Sequence, residues 1–259
     1  MNDAAPSANL IASDAVDVRF VAPHIVQIRM QDRASRNTFS EALTEGLMEA
    51  FARVEQEPEC RVVLLTGYDT YFASGGTQEQ LLNLSDGRGA FTDRALYSLP
   101  LLCPVPVVSA MQGHGVGGGF VLGLFADLVV LSRESIYTTN FMRYGFTPGM
   151  GATFILPEKL GLSLAGEMML TANNYRGEEL QQRGIPFPVV PRERVMAHAM
   201  ELATALADKP RVSLVALKSH LTARLREALP GTVAQEVAMH AVTFAQPEVK
   251  ERIARLFGA

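Results

Sequence analysis

Pro104-Val105-Pro106-Val107-Val108-Ser109-Ala110-Met111 runs directly into Gln112-Gly113-His114-Gly115-Val116-Gly117-Gly118-Gly119-Phe120. An apolar strand pattern here ends in a glycine-rich turn that opens on an apolar helix pattern. Three consecutive glycines between strand and helix let a ligand oxygen approach backbone N–H groups that no Cβ shields. Upstream, Tyr71-Phe72-Ala73-Ser74-Gly75-Gly76-Thr77 closes another strand pattern with small residues. Two loops can thus aim one N–H each at a single carbonyl oxygen, which is an oxyanion hole, the device that stabilises an enolate or a tetrahedral anion. A glycine triplet alone serves equally well for tight helix–strand packing. The second loop, following a Val/Leu-rich strand in the same half of the chain, shifts the balance toward ligand binding.

Outward from this turn the pattern is α/β. Arg61-Val62-Val63-Leu64-Leu65-Thr66-Gly67, residues 106–111 and residues 128–131 are apolar runs of the kind found in parallel strands buried on both faces. Helix-like or glycine-rich sequence separates them, which implies right-handed crossovers and a mostly parallel sheet. Residues 16–20 and 25–30 largely alternate apolar and polar side chains around Ala22-Pro23-His24, an opening hairpin. Leu43, Leu47, Phe51 and Val54 set a helix over residues 40–55. Beyond Pro191 the spacing predicts helices over 192–207, 213–229, 233–246 and 248–257. Stripes such as Val195, Ala199, Leu202 and Leu206 read as core or interface. The division expected is a core over 1–190 and a helical C-terminal region over 191–259 that packs on the sheet or serves oligomerisation.

At 259 residues, 48% apolar and 19% charged, the chain has the composition of an ordinary globular protein. A formal net charge of -4 without any Lys or Arg run argues against a nucleic-acid or anionic-membrane partner. Cys60 and Cys103 lack CxxC spacing and a His cluster, so neither a disulfide framework nor a metal site is expected, and reduced thiols of a cytoplasmic protein are. The start of the chain lacks the basic and apolar regions of a signal peptide. The apolar stretch 99–111 is too short, and too rich in proline, to span a bilayer.

Phe72-Ala73-Ser74-Gly75-Gly76, the Gly117-Gly118-Gly119 turn with Ala126-Asp127-Leu128 after it, and Gly145-Phe146-Thr147-Pro148-Gly149-Met150-Gly151 resemble, in order and over residues 15–259, the crotonase (enoyl-CoA hydratase/isomerase) superfamily. The resemblance implies a ββα spiral core with a helical C-terminal region, a homotrimer or hexamer, and a thioester substrate on coenzyme A or on the phosphopantetheine arm of an acyl carrier protein. It implies neither a metal nor a redox cofactor. Carried over position by position, it makes the amides of Gly76 and Gly118 the oxyanion-hole pair. The hydratase glutamates are missing: the position two after the glycine triplet holds Val121, and the position seven before Pro148-Gly149 holds Phe141. Neither exchanges a proton, and an apolar pair gives an ordered water no partners. Hydration is therefore not expected, while enolate stabilisation survives.

Ser74 to Glu79, Asn140 to Ala152, and Met239-His240 followed by Thr243-Phe244-Ala245-Gln246-Pro247-Glu248-Val249 are similar to the decarboxylating homologue of polyketide β-branching cassettes. That resemblance implies loss of CO₂ from a 3-methylglutaconyl-type thioester to give a 3-methylcrotonyl-type product, with His240 returning the proton. It also implies a Lys after the first oxyanion loop, yet no Lys precedes Lys159. Arg88, in Asp86-Gly87-Arg88-Gly89, is the nearest cation for a carboxylate, and a solvated loop Arg reads equally well. Val121 and Phe141 are assigned to an apolar wall. Taken without the resemblance, His240 is a helix histidine satisfied by a backbone partner, and His114 belongs to the hydrogen bonding of its turn. Arg143 and Tyr144 are candidates for the pocket. Ser74 lacks a nucleophile elbow. Two rival readings stay open: a double-bond isomerase or hydratase of enoyl-CoA, and a non-catalytic carrier-protein-binding subunit.

Overall fold

Residues 9–93 and 95–257 are described by the computed structural model. An antiparallel meander opens the chain, with β1 (Asn9–Ala12), β2 (Val16–Ala22) and β3 (Ile25–Met30) paired in order. The expected hairpin is β2–β3, and His24 turns it with φ 65°. α1 (Glu41–Glu55) begins where Ser40 Oγ accepts the Leu43 N–H at 3.1 Å, and it buries Leu43, Leu47, Ala50 and Val54 along one stripe.

A three-part unit then repeats, with one strand in a large sheet, a short strand in a small sheet, and a helix. Its first copy is β4 (Val62–Thr66), β5 (Tyr71–Ala73) and α2 (Gln78–Ser85). After α3 (Leu99–Leu102) come β6 (Val107–Met111), β7 (His114–Val116) and α4 (Gly118–Leu124). The third copy is β8 (Leu128–Ser132), β9 (Ile136–Thr138) and, past a 3-10 turn at Asn140–Arg143, α5 (Ala152–Leu160). α6 (Leu162–Thr171), β10 (Asn174–Arg176), α7 (Gly177–Gln182), β11 (Val189–Val190), α8 (Arg192–Ala207), α9 (Arg211–Thr243) and α10 (Pro247–Leu256) complete the fold. The large sheet runs β1-β2-β3-β4-β6-β8-β11, parallel from β3 onward, and the small one runs β10-β9-β7-β5.

β4 and β6 are buried at every position, which explains why their sequences show apolar runs instead of alternation. Period two still operates. Val62, Leu64, Val108 and Ala110 face a layer made by Val195, Ala199, Ala203 and Ala207 of α8, whose small side chains let the helix sit close. Val63, Leu65, Val107 and Met111 face the other way, into the main core with α1, α4 and Phe72. Part of the C-terminal region therefore covers its own sheet. Cys60 and Cys103 are free and buried, and burial pushes their thiols up to about 12 and about 11. No helix among the described residues is long and apolar enough to cross a membrane.

The two helices expected over 213–229 and 233–246 are one helix, α9, running through Pro230. Pro230 has no N–H for the Arg226 carbonyl, and an interior proline costs about 3 kcal/mol. Continuity wins because both flanks are anchored. Lys218 Nζ donates to Pro100 O (2.8 Å), Val105 O (3.0 Å) and Asp127 Oδ2 (2.7 Å), while Leu229 and Glu236 are buried farther along. A break at Pro230 would withdraw one set from the core. Replacing Pro230 with Ala restores the missing donor and relieves the ring contact. Pro230→Ala is expected to raise the unfolding free energy by up to about 3 kcal/mol at unchanged m value in urea titrations. A midpoint that stays put or falls would mean that the helix has adapted to the ring.

Candidate active site

β5 and β7 are parallel neighbours in the small sheet, with Tyr71 opposite His114 and Ala73 opposite Gly115. Their C-terminal ends therefore emerge side by side, and the two glycine loops leave from the same edge. Gly75 sits with φ 75°, and a Cβ there would come within 2.9 Å of Val116 O and 3.2 Å of Gly118 N. Only hydrogen fits between the loops. The Gly75 carbonyl accepts the Phe39 N–H at 2.7 Å, and the trans peptide turns the Gly76 N–H to the opposite side. The Gly117 carbonyl likewise accepts from Phe120 N (3.1 Å) and Val121 N (3.2 Å), which turns the Gly118 N–H out of the helix. Among the described residues neither N–H meets a protein acceptor, and Gly76 and Gly118 line one cavity of about 890 Å³.

The same cavity is lined by Arg88, Phe141 and His240. Val121 is not: it is fully buried on α4, a helix with no exposed residue, and it packs in the core behind the glycine turn. The apolar wall comes instead from Phe39, Phe141, Phe146 and Met150. Met150 (φ 64°) presses on the oxyanion loop, because a Cβ on Gly118 would lie 2.4 Å from its Sδ. Asp93 is the single carboxylic acid among the described lining residues, and its Oδ2 is occupied by the Ala90 N–H at 2.8 Å. The described residues include no group of three or more His, Cys, Asp or Glu arranged to hold a metal ion.

His240 stands one helical turn before the end of α9. Its Nε2 lies 2.8 Å from Thr147 O. A carbonyl only accepts, so Nε2 carries a hydrogen and Nδ1 is the nitrogen left to exchange a proton. Phe91, Phe146 and Phe244 surround the ring edge-on, with centroids at 5.0, 6.0 and 5.0 Å. Burial among them lowers the His240 pKa from 6.5, and the carbonyls of Thr147 and Pro148 oppose that shift in part. Gly149 lies so close that a Cβ there would sit 2.6 Å from Cε1 of the imidazole and 2.9 Å from Nε2.

Arg88 projects from a lid between Gly87 (φ 71°) and Gly89 (φ 80°). Its side chain is 68% exposed, and its Nη2 pairs with Asp86 Oδ2 at 3.0 Å. Asp86 also binds Lys250 of α10, which holds its carboxyl below the usual range. A lysine thus does reach the lid, but from the far end of the chain. His114 Nδ1 accepts the Ile136 N–H at 2.9 Å, as its turn role requires, while its ring also lines the cavity. Ser74 Oγ donates to Arg36 O at 2.8 Å. Arg143 and Tyr144 line the cavity as expected. Thr147, Gly149 and Met150 carried no chemical signal of their own, although they lie within the quoted 145–151 motif, and the aromatic ring set around His240 was unforeseen.

The enoyl-CoA hydratase/isomerase family model matches residues 22–256. The bacillaene synthase decarboxylase PksI of Bacillus subtilis is 60% identical over 234 residues, covering 90% of this chain and 94% of that protein. A solved structure from a dehydratase/decarboxylase enzyme couple involved in polyketide β-branching superposes with a TM-score of 0.94 at 57% identity, over 95% of this chain and 100% of the other. The ECH2 decarboxylase domain of CurF from Lyngbya majuscula gives 0.90 at 47%, over 94% and 99%. The mitochondrial enoyl-CoA hydratase of Pongo abelii is more distant, 26% identical over 86% of this chain and 78% of its own. With its ββα spiral, its paired glycine loops and these relatives, the chain belongs to the enoyl-CoA hydratase/isomerase family.

Proposed function

We propose that this protein is a decarboxylase of a 3-methylglutaconyl-type thioester held on an acyl carrier protein, acting in polyketide β-branching. The observation that carries the proposal is the pairing of two unengaged loop amides with a mostly buried histidine in one cavity, where Phe141 stands at one hydratase glutamate position while Val121, at the other, is buried behind the glycine turn. The decarboxylases among its relatives support the same reading.

In this mechanism the thioester oxygen lies between the Gly76 and Gly118 amides. The bond from the γ carbon to the carboxylate breaks, CO₂ leaves, and the electron pair delocalises through the double bond to that oxygen as a dienolate. Each fixed donor stabilises the developing anion by about 3 kcal/mol more than the ground state. His240 then delivers one proton from Nδ1 to the γ carbon, giving the 3-methylcrotonyl product. Arg88 orients the departing carboxylate from the lid. Its guanidinium stays charged throughout and serves as an electrostatic guide rather than an acid.

Incubation with 3-methylglutaconyl carrier protein is expected to release CO₂, seen as the corresponding mass loss on the acyl arm. Water addition without CO₂, or turnover of a β,γ-enoyl thioester but not of the acid, would overturn the reading. His240→Ala should lower kcat by about 10²–10⁴-fold. Because the protonated imidazole is the donor and burial lowers its pKa, kcat should fall as pH rises, with a midpoint on the acid side of 6.5. A flat profile would remove His240 from the role.

Gly149→Ala supplies a separate check. Gly149 has an ordinary backbone conformation, so alanine fits the chain while its methyl displaces the imidazole from Thr147 O. The variant should fold with wild-type circular dichroism and lose about 10²-fold in kcat. Full activity would show that the imidazole is free to move without consequence.

A further inference from the structure

Glu236 is fully buried on α9, one turn before His240, and lines no part of the cavity. Its Oε2 accepts the Gly151 N–H at 2.7 Å, and its Oε1 accepts the Thr153 N–H at 2.9 Å and the Thr153 hydroxyl at 2.6 Å. These are donors at the start of α5, whose cap residue, Gly151, has no side chain to bind them. No side chain at 151 could take that role, because a Cβ there would lie 2.8 Å from Phe125 Cζ and 2.9 Å from Leu229 Cδ1. The cap is borne instead by the helix that carries the proton donor.

The tethered segment touches both halves of the catalytic machinery. Thr147 O holds His240 Nε2, and Thr243 Oγ1 lies 3.3 Å from Thr147 Oγ1. Three residues farther on, Met150 packs on Gly118. Met150 is a left-handed non-glycine residue (φ 64°), a backbone that persists only where its surroundings over-determine it, and it is followed by Gly151 (φ 76°), which adopts that region freely. The carboxylate of Glu236 is the polar restraint that does so.

We propose that Glu236 is a positioning residue: by tying residues 147–153 to α9 it sets the separation between the thioester-oxygen site and His240, and thereby which carbon of the dienolate takes the proton. This rests on the decarboxylase reading above. A dienolate is nucleophilic at its α and γ carbons, two bonds apart. Protonation at γ gives the α,β-enoyl product, and protonation at α gives the β,γ isomer. A displacement on the order of 1 Å changes both the rate and the outcome.

The test is Glu236→Gln, which keeps the shape but sets an NH₂ against a donor. With 3-methylglutaconyl carrier protein, kcat should fall about 10- to 100-fold at little-changed KM, and the β,γ isomer should increase in the product resolved by NMR. Leu214→Ala, which loses buried packing at the other end of α9, should lower Tm and leave the isomer ratio alone. Should Glu236→Gln fail to fold, Thr153→Val removes the hydroxyl contact only and should shift the ratio in the same direction. Folded variants with wild-type kcat and isomer ratio, or an equal shift in Leu214→Ala, would overturn the positioning role while leaving decarboxylation intact. A wild-type protein that releases no CO₂ would sink the decarboxylase reading, and this proposal with it.

Discussion

The site depends on the pairing of β5 with β7. Two parallel strands of three residues each fix the relative height of the loops that follow them, and the missing Cβ of Gly75 lets those loops touch. Each loop carbonyl is spent on a neighbouring backbone donor, Phe39 for one and the first turn of α4 for the other. The amide on the far side of each peptide is consequently left without a protein partner. An orphaned N–H has a desolvation cost, and two of them facing one cavity make a place where an oxygen gaining negative charge would be stabilised.

Around that pair the rest of the cavity decides which reaction follows. The family device of two backbone donors serves any chemistry that passes through an enolate. Addition of water needs carboxylates, and this cavity offers phenyl rings, a thioether and one lid aspartate already bound to backbone. Loss of a carboxylate needs a cation to orient it and one proton to replace it. Arg88 and His240 both line this cavity, and they approach it from different parts of the fold, the loop after α2 and the C-terminal helices.

The sheet was legible in the sequence because its strands are buried on both faces and leave unbroken apolar runs at Val62 to Thr66 and Val107 to Met111. The glycine loops were legible because a backbone that must let two segments touch tolerates no other residue. Val121 was misplaced for a geometric reason: family spacing put it beside the cavity, whereas the packed turn of α4 covers it. The continuity of α9 escaped local reasoning, since Pro230 is a breaker by its own chemistry and only distant anchors such as Lys218 override it. The bond between Gly151 and Glu236 spans 85 positions and leaves no local trace. In the C-terminal stretch His240 was expected at the site through the motif it shares, whereas the lining by Phe244 and Phe257 was not foreseen.

Asp86 holds two cations at once, Arg88 beside it and Lys250 from α10. Solvent-exposed ion pairs of this sort are individually weak. If the arginine turns inward to meet an incoming anion, the aspartate keeps its second partner, so no carboxylate is stranded and the exchange is nearly neutral in charge. The contact between residue 86 and α10 therefore does not depend on where the Arg88 side chain points.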